Sequence, residues 1–213
     1  MRVLGVDPGS GTTGWGVVER SGRKIEYLAS GTIQTRGSRS FAARLQRIYE
    51  GIRVVLKQWR PHAVGLEGAF VARNVQAAFR LGEARGAVLV GAAVEGVDVY
   101  EYAPAAVKLA VAGSGRADKE QVGLGVARLL GIRGATIGKD ASDALAVAVC
   151  HLHSVQLSGR LQVALRETRA TPASRLAARR RRGLRDIVVP ACVERTVIAG
   201  RARRPRVARR RLG

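Results

Sequence analysis

Apolar and polar positions change period several times along the chain, and each change marks an element. Residues 2–7, Arg-Val-Leu-Gly-Val-Asp, form the short apolar run of a buried strand. A glycine-rich turn, Pro8-Gly9-Ser10-Gly11-Thr12-Thr13-Gly14, separates it from a second strand at Trp15-Gly16-Val17-Val18, and residues 24–34 read as a third. The period then becomes helical: Phe41, Leu45, Ile48, Ile52, Val55, Leu56 and Trp59 fall on one stripe, and Pro61 ends it. Ala63-Val64-Gly65-Leu66-Glu67 predicts a fourth strand, residues 74–94 a second helix, and Val97–Tyr102 a fifth strand. Ala78, Gly82 and Gly86 lie four apart on that second helix, a spacing that lets another backbone approach closely. Pro104 suits a helical first turn. Asp118-Lys119-Glu120-Gln121 resembles a capping box that opens a helix to about Leu130. A last helix is predicted from Lys139 to about His153. The order βββαβαβ followed by helices predicts an α/β fold with a five-stranded mixed sheet and helices on both faces.

One motif fails its context test. Gly9-Ser10-Gly11-Thr12-Thr13-Gly14 matches GxGxxG after a strand, but a dinucleotide site needs a helix to begin there. Trp15-Gly16-Val17-Val18 is strand-like instead. The glycines are expected to make a tight turn beside Asp7.

Composition changes the picture in one respect. Hydrophobic residues are 46% of the 213, enough for a core, yet 37 Lys and Arg face 16 Asp and Glu, a net charge of +21. Such an excess points to a polyanionic partner, nucleic acid first. The charge is uneven: residues 155–213 hold 17 Arg, no Lys and 3 acids, a balance of +14, whereas residues 1–154 carry +7. The chain therefore reads as a folded domain over 1–154 and a flexible basic Arg/Ala-rich tail over 155–213. Cys150 and Cys192 are far apart and no zinc spacing occurs, which fits a reduced, cytoplasmic compartment. No signal-peptide pattern opens the chain and no apolar stretch is long enough to span a membrane.

Four carboxylates stand out by position. Asp7 and Glu67 end predicted strands, and Asp140 and Asp143, three apart, share one helix face. Strand ends are where sites collect in open α/β sheets. Taken singly, Asp7-Pro8-Gly9 is a turn, Glu67 a solvated strand end, and Asp140 a charge favoured by the helix macrodipole. Taken together they are hard oxygen ligands suited to Mg²⁺, and clustered carboxylates resist joint ionisation unless a cation lies among them. A basic chain with such a cluster points to phosphodiester hydrolysis.

Several segments, in order, resemble the RuvC family of Holliday-junction resolvases. Gly5-Val6-Asp7-Pro8-Gly9-Ser10 with Thr13-Gly14-Trp15-Gly16 is similar to the family's opening, and Leu66-Glu67 with Phe70-Val71-Ala72-Arg73-Asn74 to its next motif. Leu81-Gly82-Glu83-Ala84-Arg85-Gly86 resembles its second long helix. Tyr102-Ala103-Pro104 with Val107-Lys108, and Lys119 before Gln121-Val122, resemble its DNA-facing region. Asp140-Ala141-Ser142-Asp143-Ala144-Leu145-Ala146 resembles its last acidic motif. The resemblance covers about residues 1–153.

It implies a ribonuclease-H-like fold and a homodimer that cuts two opposed strands of a four-way DNA junction in recombination and repair. It implies catalysis and metal binding by Asp7, Glu67, Asp140 and Asp143, with two Mg²⁺ ions per site and Mn²⁺ able to substitute. Phe70, Arg73, Lys108 and Lys119 are then the expected DNA-binding residues, and branch-migration motor proteins the expected co-workers. His151 and His153, outside the acidic motif, are expected to be structural residues near the end of the last helix. Other readings are a nuclease of the same superfold acting on RNA, a non-catalytic junction-binding protein, and a sugar-kinase or actin-like ATP-binding protein. The last needs a second phosphate-loop domain, for which about 150 folded residues leave no room.

Overall fold

A computed structural model describes residues 1–68, 75–132, 137–170 and 195–196, with side chains of the last helix described to residue 159. The strands are β1 (Arg2–Asp7), β2 (Thr12–Ser21), β3 (Lys24–Gln34), β4 (Ala63–Glu67), β5 (Val99–Tyr102) and the two-residue β6 (Arg195–Thr196). The helices are α1 (Phe41–Trp59), α2 (Val75–Val94), α3 (Pro104–Ala112), α4 (Lys119–Leu130) and α5 (Lys139–Ala170). The sheet order is β3-β2-β1-β4-β5-β6. β1, β2 and β3 run antiparallel as the expected meander, whereas β4 lies parallel to β1 and β5 parallel to β4. This is the mixed five-stranded sheet read from the sequence, lengthened at its β5 edge by β6.

Local chemistry sets the helix ends. Ser40 caps α1 by accepting from the Ala43 backbone N–H. Arg60 closes it in the left-handed region at φ 45°, immediately before Pro61, which disfavours helical backbone in the residue it follows. Asp118 and Gln121 form the full capping box of α4, and Gly131 ends it at φ 65°.

Alternation along each strand divides the interior in two. On one face Leu4, Val6, Val17, Val64 and Leu66 meet Ile48, Ile52, Val55 and Leu56 of α1 and Ala84, Val88 and Ala92 of α2. On the other lies α5. Residues 144–152 of α5 are buried without interruption, because the sheet covers one side of the helix and α3 and α4 the other.

The α5 face of the sheet carries Val3, Val18, Ile25 and Tyr102, but the strand positions that the helix crosses most closely are glycines. A Cβ on Gly5 would lie 2.0 Å from the Ala144 carbonyl oxygen, and one on Gly14 only 1.9 Å from that of Asp140. Cβ atoms on Gly16 and Gly65 would meet first the side chains of Leu145 and Val147, at 2.6 and 3.1 Å. Helix and sheet therefore touch backbone to backbone. This corrects the reading of Gly14 as a turn residue: it is paired with Asp7 inside the β1–β2 ladder, and its missing side chain is space for α5. Gly9 does make the tight turn, since a Cβ there would meet the Thr12 carbonyl at 2.3 Å.

Two boundaries also differ from expectation. β2 begins at Thr12, inside the glycine-rich stretch, because residues 12–14 pair with 32–34 of β3. α5 continues to Ala170, past the expected end near His153. His151 and His153 are consequently mid-helix residues.

Candidate active site at the carboxyl edge of the sheet

Asp7 and Glu67 stand at the carboxyl ends of adjacent parallel strands, one residue beyond the Val6–Leu66 pair. They project to the α5 face, since Gly5 and Gly65, two residues earlier, meet that helix. The backbone contact at Gly14 sets the first turn of α5, with Asp140 and Asp143, down on this edge. Asp7, Glu67 and Asp143 line one cleft of about 200 Å³ with Pro104, Val107 and Lys108 of α3, Lys119 and Val122 of α4, and Ala146. Asp140 does not line it; it acts on Asp7 and Lys119 through its charge.

The electrostatics are those of crowded acids. The Asp7 carboxyl is pushed up to about 7, first by burial and then by the charges of Glu67, Asp143 and Asp140. Glu67 is also raised, by burial and by Asp143, while a hydrogen bond with Asp7 and the charges of Lys119 and Lys108 work against the rise. Lys119 reaches Asp143 at 3.4 Å with 80% of its own side chain exposed. That carboxylate holds the Lys119 ammonium above its usual range. Among the described residues no three His, Cys, Asp or Glu side chains already close on one point as a cation cage. The acids share a cleft and repel, and Lys119 is their nearest counter-charge.

The structure thus gathers Asp7, Glu67, Asp143, Lys108 and Lys119 in one cleft, and Asp140 acts on Asp7 and Lys119 through its charge without lining it. Phe70 and Arg73 lie outside the described residues. Sequence reasoning did not single out a second lobe of about 160 Å³, lined by Asp7, Pro8, Glu67, Gly68, Leu81, Arg85 and Pro104. Arg85 there is ion-paired with Glu101 of β5. The pairing joins a helix to a strand across the fold, and no local spacing signals it.

Comparison with known proteins agrees with this geometry. The family model "Crossover junction endodeoxyribonuclease RuvC" matches residues 3–151. The RuvC of Geotalea uraniireducens is 45% identical over 163 residues, covering 76% of this chain and 95% of its own. That of Trichlorobacter lovleyi is 48% identical over 162 residues, covering 76% and 89%. A structure of T. thermophilus RuvC in complex with a Holliday junction substrate is 39% identical, with a TM-score of 0.70 over 74% of this chain and 96% of that one. A yeast mitochondrial Holliday junction resolvase, 12% identical at a TM-score of 0.53, shares the fold alone. The fold is ribonuclease-H-like, and the site is a carboxylate cleft of the nuclease kind. The chain belongs to the RuvC family of crossover junction endodeoxyribonucleases.

Proposed function

We propose that this protein resolves four-way DNA junctions in recombination and repair, hydrolysing one phosphodiester on each of two opposed strands with the help of Mg²⁺. The observation that carries the reading is the meeting of Asp7, Glu67 and Asp143 with Lys108 and Lys119 in one cleft of a RuvC-family chain. The donor set fits a hard divalent cation: all four candidate ligands are carboxylates, and Asp7 bears an electrostatic strain that a cation would relieve. Asp7 and Glu67, from adjacent strands, and Asp140 and Asp143, from α5, would hold two such ions, with Mn²⁺ an acceptable substitute. When bound, the ions supply an activated water and stabilise the leaving oxygen of the phosphodiester. Lys108 and Lys119 face the cleft from the α3–α4 side, where they would hold the phosphate backbone and offset its repulsion by the acids. Phe70 and Arg73 belong to the same reading as base- and backbone-contacting residues.

Two opposed cuts call for two sites, hence a homodimer. α2 supports one: nothing lies within 4 Å of a Cβ built on Gly82 or Gly86, and Val75, Phe79 and Val90 of this helix are exposed. Branch-migration motors would act on the same junction. The division into a nuclease domain over 1–154 and a basic tail is kept as a proposal, with the helical rod of α5 carrying the chain out of the domain. No helix among the described residues is long and apolar enough to cross a membrane.

The deciding experiment incubates the purified protein with a synthetic four-way junction, with and without Mg²⁺. Paired, symmetric nicks that need the metal are expected. Binding without cleavage, or cleavage of single-stranded RNA in preference to the junction, would overturn the reading.

A further inference from the structure

The lobe that Arg85 lines lies beside the carboxylates on the side away from the lysines. The two lobes share Asp7, Glu67 and Pro104. Beyond these, one is walled by Lys108, Lys119 and Asp143, and the other by Pro8, Gly68, Leu81 and Arg85. A strand whose scissile phosphate sits over Asp7 and Glu67 continues in both directions, so its neighbouring nucleotides meet both lobes. Among the described residues Arg85 is the only cationic side chain that lines the second. Its side chain is 23% exposed, and Glu101, 16% exposed, anchors one terminal nitrogen. A guanidinium carries five N–H donors in a planar fork. Its Nε is buried without a hydrogen-bond partner. Glu101 is the one partner of Arg85 among the described residues. The remaining wall, two prolines, a glycine and a leucine, offers an apolar surface suited to a deoxyribose face.

We infer that Arg85 is a substrate-holding residue: it grips the DNA phosphate next to the scissile one, in the second lobe, while Glu101 aims its guanidinium. The inference rests on the proposed junction cleavage. Arg85 thus balances the lysines, so that the cut strand is held on both sides of the carboxylates.

The test is a double-mutant cycle between protein and DNA. Junctions are made with a single neutral methylphosphonate at each phosphate flanking the scissile one, and single-turnover cleavage is measured with Mg²⁺. For the unmodified junction, Arg85→Gln should slow cleavage on the order of ten- to a hundredfold, the loss of one charge-assisted contact. At one flanking position the methylphosphonate should slow the wild-type protein by a similar factor and slow Arg85→Gln no further, the signature of a direct contact. Arg85→Lys should recover part of the rate. Arg85→Gln removes the guanidinium that faces Glu101, so Arg85→Gln with Glu101→Gln serves as the second variant. It lacks the guanidinium without leaving the charge that faced it, and it should show the same cycle. Losses that multiply at every flanking phosphate in both variants, or cleavage by Arg85→Gln at the wild-type rate, would overturn the inference and leave Arg85 as a tie between α2 and β5. Failure of the wild-type protein to cut the unmodified junction would instead overturn the proposed function.

Discussion

The two faces of the sheet are packed on opposite plans. Toward α1 and α2 the strands offer Leu4, Val6, Val17, Val64 and Leu66, and the interface fills with large aliphatic side chains. Toward α5 they offer Val3 and Val18, but also Gly5, Gly14, Gly16 and Gly65, where the helix comes closest with residues such as Ala144 and Ala148. The first face buries apolar area and stabilises in the ordinary way. The second gives up side-chain volume so that a helix can lie against the strands. What it gains is position: the acidic first turn of α5 comes down beside two strand-end carboxylates. Both faces bury apolar side chains, and the glycine positions on the second also make it a site.

The sharpest way to break this contrast is to change the acids without changing shape. Asp7→Asn, Glu67→Gln, Asp140→Asn and Asp143→Asn each remove one negative charge. Loss of metal-assisted chemistry is worth several kcal/mol, so cleavage should fall on the order of several-hundredfold or more, at 1.36 kcal/mol per tenfold. Junction binding should persist or tighten, since repulsion of phosphate is reduced. Cleavage, affinity and melting temperature measured on the same four proteins decide the matter. Near-normal cleavage by Asp7→Asn and Glu67→Gln would end the metal-nuclease reading.

Next in size is a change of side-chain volume on either face. In Gly14→Ala the new Cβ would sit 1.9 Å from the Asp140 carbonyl, so the start of α5 must lift. Overpacking of this kind costs about 1–3 kcal/mol of stability, and misplacement of a catalytic group by ~1 Å can cost about a hundredfold in rate. Ile52→Ala, on the α1 face, should cost about 2–5 kcal/mol yet leave the cleavage rate per folded molecule unchanged. The two variants should therefore separate stability from activity in opposite senses. Equal loss of rate in both would show that the faces are not functionally distinct.

Much of this was legible in the chain. The strands carrying Asp7 and Glu67, the α1 stripe from Phe41 to Trp59 and the Asp118 capping box are local signals, and local physics forms them. The carboxylates were readable because strand ends and an i,i+3 pair on one helix have fixed geometry. Gly14 was misread because a glycine required by a distant helix looks, in sequence, like one required by a turn. The length of α5 was missed for a different reason. After Leu152 the described side chains of the helix, residues 153–159, are no longer buried, Val155 and Leu157 being exposed, so no buried stripe marks that stretch. Arg85 with Glu101 was invisible because its partners are brought together only by the sheet.

The buried side of α5 makes a prediction about pH. His151 is 1% exposed, its Nδ1 is 2.7 Å from the Tyr102 hydroxyl, and its ring stands 4.8 Å from that of Tyr100. Burial, and then the Arg20 charge, push it down to about 4 from an ordinary 6.5. Below pH 6.5 the unfolded chain takes up a proton that the folded chain refuses, so this group removes stability as the pH falls from 6.5 toward 4, in all about 3 kcal/mol. Asp7 works in the opposite direction. Its raised carboxyl binds a proton in the folded state between about 7 and 3.8, so stability rises as the pH falls through that window. The two partly cancel in the wild-type protein. Melting temperature against pH should therefore drop more steeply below 6.5 in Asp7→Asn than in the wild type, and the steepness should lessen when His151→Asn is added, His153, also lowered by burial, accounting for part of the remainder. An unchanged slope on adding His151→Asn would remove the histidine from the account.

The smallest expected effect concerns charge at the mouth of the cleft. Lys119 is mostly exposed and Lys108 lines the same wall, so each should neutralise one DNA phosphate. Every such contact releases condensed counterions and contributes a slope of about −0.9 to log affinity against log salt. Lys108→Ala and Lys119→Ala should each make the slope shallower by about one unit. Lys119 also offsets the charge of Asp143, which it approaches at 3.4 Å, so its removal should weaken binding more at low salt, where the freed carboxylate repels phosphate most strongly. Lys57 on α1 is the control from the other face. It is 61% exposed and sits 3.8 Å from Glu95, a surface pair remote from the acids in the fold. Lys57→Ala should leave the slope as it was. Affinities for a four-way junction are measured in EDTA over a salt series, so that cleavage does not interfere. If all three variants shift the slope equally, the cleft has no privileged claim on the backbone and the DNA path must be sought elsewhere on the surface. If only the two cleft lysines shift it, the strand passes over the α3–α4 wall of the site, on the face that glycine made available to α5.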